Sequence, residues 1–123
     1  MSAADIKVVV VDDDPAVLDS LQLLLRSGGI EVGGFGSAQD CLDAGNFDDV
    51  TCLVVDVRLP GMSGLELVRR LRANGQMVPA ILITGHLEAL SELQAEADRI
   101  LAILHKPFTA EELFAWVRRA NSA

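Results

Sequence analysis

Three consecutive carboxylates, Asp12-Asp13-Asp14, follow a run of valines near the start of this sequence. A single carboxylate, Asp56, closes a second apolar run, Leu53-Val54-Val55. A hydroxyl, Thr84, follows a third run, and an ammonium, Lys106, follows a fourth. Crowded carboxylates repel one another and hold on to protons unless a cation neutralises them. Oxygen donors of this kind suit Mg²⁺, with Mn²⁺ an alternative; Mg²⁺ commonly takes one or two carboxylates together with water and phosphate oxygens. A carboxylate can also act as a nucleophile and carry a phosphoryl group as an acyl phosphate. The transferring group spreads charge over its equatorial oxygens, which a cation, an ammonium and a hydroxyl would stabilise. The expectation is that Asp56 accepts a phosphoryl group and that the other residues serve it.

The elements that must position these residues are readable in order. Lys7 to Val11 contains four consecutive valines, β-branched and without alternation, which predicts a strand covered on both faces and hence a parallel sheet. Asp14-Pro15 is a helix-start signal, with Asp as N-cap and Pro at the first position. The helix runs to about Ser27, where Gly28-Gly29 stops it. Ile30 to Phe35 is a weaker second strand, interrupted by Gly33 and Gly34. Ser37 caps a short helix through about Ala44. Cys52 to Asp56 is the third strand, and Gly64 to Asn74 the third helix. Ala80 to Ile83 is the fourth strand, Leu87 to about Ala97 a fourth helix, and Ile100 to Leu104 the fifth strand. Thr109 opens the last helix, with Glu112 three residues on completing a capping box. Strands alternating with helices predict an α/β fold, a three-layer (βα)5 sandwich of flavodoxin-like type. Its five-stranded parallel sheet is expected in order 2-1-3-4-5, which sets the first and third strands side by side and brings every strand's C-terminal end to one edge.

Composition agrees with one domain spanning residues 1–123, structured from about 6 to 120. Half the residues are hydrophobic, enough for a real core. No apolar stretch approaches the roughly 20 residues that cross a bilayer, and the start lacks a signal-peptide pattern. A cytoplasmic protein with no membrane association is therefore expected. The net charge of −8 disfavours direct nucleic-acid binding, which needs a basic face. Cys41 and Cys52 have no metal or redox spacing and read as buried free thiols.

The motifs Val-Asp-Asp-Asp-Pro at 11–15, Val-Asp-Val-Arg-Leu-Pro-Gly-Met-Ser-Gly at 55–64, Thr-Gly-His at 84–86 and Lys-Pro-Phe at 106–108 resemble the receiver domain of two-component response regulators. The match covers essentially the whole chain, in order and at the right intervals, and looks most like receivers of nitrogen-fixation-type transcriptional regulators. The resemblance implies a bacterial phosphorelay module that takes phosphate from a histidine kinase or phosphotransfer protein. It would then control a downstream protein or an output domain C-terminal to it. Asp56 resembles the phospho-acceptor and Asp13 the direct Mg²⁺ ligand, with Asp12 supporting the ion. The backbone carbonyl of Arg58 matches a third protein ligand. Thr84 and Lys106 match the hydroxyl and ammonium that engage the phosphoryl group, and Gly85 leaves room for the donor. A cis Lys106-Pro107 bond is implied. So are a kinase-side surface of Ala16 to Leu18 with the Pro107/Phe108 loop, and a homodimer through the fourth helix, fifth strand and fifth helix.

The sequence departs from the family at the switch position, often aromatic, which is Ile103 here. A branched aliphatic cannot reproduce the rotation of an aromatic ring. The readout at the surface is therefore less well specified than the chemistry at Asp56. Glu96-Ala97-Asp98-Arg99-Ile100 also lacks the glycine usual before the fifth strand. Taken singly, each residue has a plainer reading: Asp12 or Asp14 as a helix cap, Thr84 as a strand-end hydroxyl, Lys106 as a solvated charge. His86 could shield or position water, or be a solvated loop residue, and Arg58's side chain carries the same ambiguity; His105 is weaker still. A Mg²⁺-dependent aspartyl-phosphate phosphatase is the alternative, but such enzymes carry a second Asp two residues after the nucleophile, where this chain has Arg58. A nucleotide-binding domain would need a glycine-rich loop after the first strand, where Asp12-Asp13-Asp14 stands instead.

Overall fold

A computed structural model describes residues 5–85 and 100–122. Its elements are β1 (Lys7–Val11), α1 (Pro15–Ser27), β2 (Glu31–Phe35), α2 (Ala38–Ala44), β3 (Cys52–Asp56), α3 (Gly64–Ala73), β4 (Ala80–Thr84), β5 (Ile100–His105) and a C-terminal helix (Ala110–Ser122). All strand pairings are parallel, in the order β2-β1-β3-β4-β5. The expected flavodoxin-like α/β sheet is thus the observed one. The predicted fourth helix and His86 lie outside the described residues.

The two faces of the sheet carry separate cores, and strand alternation sorts residues between them. Val9, Val11, Leu53, Val55 and Leu82 face α2 and α3, meeting Cys41, Leu67, Val68 and Leu71. Val8, Val10, Val54, Ile81, Ile83 and Leu104 face α1 and the C-terminal helix, meeting Leu21, Leu25, Leu113 and Val117. Because both faces are covered, the valine run of β1 has no solvent side, which is why it does not alternate. Each fully buried Val or Leu contributes roughly 1.5–3 kcal/mol of burial. Cys41 and Cys52 are free and buried, one in each core.

Local signals account for most boundaries. The Asp14 side chain accepts the Ala16 N–H at 2.9 Å and starts α1, with Pro15 at its first turn. Ser37 and Ser63 cap α2 and α3 in the same way. The Thr109 hydroxyl accepts the Glu112 N–H, and the Glu112 carboxylate accepts the Thr109 N–H, the reciprocal capping box expected.

Three strand ends differ from expectation. β2 begins at Glu31 rather than Ile30, and β4 and β5 each run one residue further, because Thr84 and His105 still pair across the sheet. α3 ends at Ala73, with Asn74 as its cap. Between Ala80 and Ile81 the register with β5 slips, so that Ile81 pairs with Ala102 rather than Leu101. This irregularity sets Ile103 opposite Leu82, on the face of α2 and α3. Lys106-Pro107 is cis, as the resemblance implied.

Candidate functional site

The C-terminal ends of β1, β3, β4 and β5 converge on one sheet edge, as parallel order requires. Asp56 is the last residue of β3, and its side chain is only 14% exposed. Its Oδ1 accepts the Arg58 N–H at 2.8 Å, which curls the following loop back over the carboxylate. Its Oδ2 faces Lys106 Nζ at 3.5 Å. Lys106 is carried there by β5, and its own N–H donates to the Thr84 carbonyl at 2.8 Å. That bond ties the ammonium-bearing loop to the end of β4. Thr84 itself is buried.

Asp12 prolongs β1 past its last valine, its N–H donating to the Phe35 carbonyl at 3.2 Å. It is 3% exposed, a carboxylate inside the core's margin. Burial pushes its pKa up to about 6, and Asp56 beside it adds to the rise. The Asp14 N–H, donating to Asp12 Oδ1 at 2.9 Å, and the Lys106 ammonium oppose it. Two adjacent carboxylates, one of them desolvated, form an electrostatic deficit that a cation relieves. Lys106 supplies one positive charge to the pair.

The residues suit a divalent ion of the Mg²⁺ kind. Among the described residues no three acidic, histidine or cysteine side chains are already gathered into a cage. Mg²⁺ needs no such cage, since one or two carboxylates with waters satisfy it. Asp12 and Asp56 offer such a pair of carboxylates, Asp13 is exposed and directly follows Asp12, and Arg58 lies in the separate loop after Asp56. The structure therefore brings Asp12, Asp56 and Lys106 together and joins Thr84 to Lys106 through the main chain. Asp14 is occupied as the α1 cap. His105 closes β5 opposite Thr84 and is exposed, and Ile103 is half-buried against the α2/α3 core.

Gly64, the last residue of the 55–64 motif and the first of α3, also packs against this edge, a role the sequence does not assign it. Its N–H donates to the Val57 carbonyl at 2.9 Å. A Cβ there would collide with the Asp56 carbonyl oxygen and lie 3.0 Å from Val55 Cγ1. The signal was available: a glycine in the first turn costs helix stability and needs a reason, here close approach of two backbones.

This edge and fold are those of a known class. The sequence matches the response regulator receiver domain over residues 8–118, and the chain belongs to that family. It is 43% identical over 111 residues to the transcriptional regulatory protein FixJ of Azorhizobium caulinodans, covering 90% of this chain and 53% of that protein. It is 39% identical over 113 residues to the response regulator protein TodT of Pseudomonas putida, covering 92% of this chain and 50% of that one. Among solved structures, full-length FixJ from B. japonicum superposes with a TM-score of 0.82 at 38% identity, over 94% of this chain and 57% of that one. The BeF3-activated DrrB receiver domain superposes at 0.81 with 28% identity over the whole of both chains. The chain spans about half the length of the curated relatives it matches.

Receiver domains are signalling modules of two-component systems, phosphorylated on an aspartate, rather than enzymes acting on a separate substrate. The family typically binds Mg²⁺ and implies a histidine kinase as partner. Among the described residues no helix is long and apolar enough to cross a membrane.

Proposed function

We propose that Asp56 is the phospho-acceptor of this receiver, with Mg²⁺ held by Asp12, Asp13, Asp56 and the Arg58 carbonyl. The carrying observation is the Asp56 carboxylate at the end of β3, with Oδ2 3.5 Å from Lys106 and the desolvated Asp12 beside it. An Asp56 oxygen attacks the phosphorus of a phosphohistidine. The P–N bond breaks, its electron pair stays with the imidazole, and an acyl phosphate remains on Asp56. Lys106 and Thr84 then engage the phosphoryl oxygens. The ion, when bound, neutralises the carboxylates and the charge on those oxygens. The half-buried setting of Asp56 limits the access of water to the product.

The donor is a histidine kinase or phosphotransfer protein that docks at Ala16, Val17 and Leu18 with the Pro107/Phe108 loop. Val17, Leu18 and Phe108 are half-buried hydrophobic residues on the α1 side of the sheet. Residues 1–123 act as one cytoplasmic receiver domain. Phosphorylation biases a two-state equilibrium that a downstream protein or an attached output domain reads. The reading surface includes β5 and the C-terminal helix, where a second copy can also pair, and Ile103 replaces the aromatic switch. Direct nucleic-acid binding by this chain is disfavoured by its charge of −8.

Incubation with acetyl phosphate and Mg²⁺, followed by intact mass measurement, tests the acceptor. One phosphoryl addition is expected, absent in Asp56→Asn and absent with chelator. Addition that survives Asp56→Asn refutes the assignment.

A further inference from the structure

Beyond the residues that touch the phosphoryl group, we propose that Gly64 is a positioning residue that fixes the place of the Asp56 carboxylate; this rests on the reading of Asp56 as acceptor. The first turn of α3 lies directly on the backbone of the β3 terminus. Gly64 donates its N–H to the Val57 carbonyl at 2.9 Å, while the Val57 N–H donates to the Ile83 carbonyl of β4 at 2.9 Å. The residue after Asp56 is thus clamped between a helix start and a neighbouring strand. At Gly64 there is no room for a side chain. A Cβ would strike the Asp56 carbonyl oxygen, 3.1 Å from the carbonyl carbon and 3.0 Å from Val55 Cγ1. Two of those three atoms are main chain, which cannot turn aside as a flexible side chain can.

Gly64 is not among the glycines with positive φ, so close approach is what its lack of a Cβ serves here. Adding a Cβ moves the Asp56 backbone away from α3. The Oδ1 contact with the Arg58 N–H and the Oδ2 contact with Lys106 depend on that backbone. The nucleophile would remain present but misaligned, and displacement of about 1 Å at a reacting group costs on the order of a hundredfold in rate.

Gly28 supplies the control. A Cβ there would lie 2.5 Å from a Phe114 ring carbon, so Gly28→Ala also strains the fold, but between α1 and the C-terminal helix. Phosphorylation by acetyl phosphate is followed by intact mass at saturating Mg²⁺, with urea unfolding measured on the same samples. Under conditions where all chains are folded, Gly64→Ala is expected to lower the maximal rate by roughly tenfold or more. Gly28→Ala is expected to stay within about twofold of the parent, because distant sites act independently. A Gly64→Ala rate equal to that of Gly28→Ala overturns the proposal while leaving Asp56 as acceptor. No phosphorylation of the parent chain overturns the acceptor reading itself. If Gly64→Ala does not fold, Ser63→Ala replaces it. Removing the Ser63 cap, which accepts the Glu66 N–H at 3.1 Å, loosens the same helix start without adding bulk. A measurable fall in rate with unchanged circular dichroism supports the clamp, and an unchanged rate refutes it.

Discussion

At the scale of single residues, Asp12 and Lys106 make opposite demands on the same few ångströms. Burial and Asp56 hold the Asp12 pKa at about 6, above the usual 3.8. Between those values the native chain binds a proton that the unfolded chain does not. Without Mg²⁺, stability should therefore rise as pH falls from above 6 toward 4, the reverse of a salt-bridged carboxylate. Asp12→Asn should flatten that slope and stabilise the metal-free protein at pH 7 by roughly 2 kcal/mol. Urea unfolding at pH 5 and pH 7.5, with and without Mg²⁺, measures both. With its ammonium 3.5 Å from Asp56 Oδ2, Lys106 would compete for that carboxylate with a cation bound as proposed. Lys106→Met should accordingly tighten Mg²⁺ binding by calorimetry, yet slow phosphoryl transfer by roughly a hundredfold through loss of a donor to the phosphoryl oxygens. A variant that weakens both would contradict the shared-charge account.

At the scale of elements, caps and edges divide what the sequence discloses from what it conceals. Thr109→Ala should cost about 1 kcal/mol, since it leaves the Glu112 N–H without its acceptor, and lower the melting temperature by a few degrees. That box was readable because its partners are three residues apart in the chain. The bounds of β1 and β3 were readable for a related reason, as uninterrupted valine-rich runs that stop at charge. The end of β4, the slipped register of β5 and the Gly64 contact were not. Each depends on a partner far away in sequence: Thr84 on His105, Ile81 on Ala102, Gly64 on Asp56. Side-chain periodicity reports which face a residue occupies, but carries no information about where an opposite strand slips. The acidic, hydroxyl and ammonium members of the proposed site were all visible as strand-end residues. Their glycine neighbour showed only as a costly residue at a helix start; the backbone it approaches did not, because the Asp56 carbonyl meets it only in the fold.

At the scale of the whole molecule, the sheet is a partition between two cores. One is closed by α2 and α3, the other by α1 and the C-terminal helix. The proposed chemistry depends on both, because Asp56 ends β3 and Lys106 follows β5, strands whose alternate residues fill opposite sides. The partition also places one sulfur in each compartment: Cys41 on the α2/α3 side and Cys52 on the other, with both thiols pushed up to about 12 by burial. Neither reacts while its compartment is shut, since the thiolate is the nucleophile. The chain therefore carries a native reporter for each half. α2 has seven residues, too few to persist unless packed, whereas β3 is central in the sheet. With a thiol-specific alkylating reagent and no denaturant, Cys41 should be modified well before Cys52, as read by peptide mass. Equal rates would mean that the two halves breathe as one. Repeating the timing on phosphorylated protein would tell which half tightens, with no label added and no residue changed.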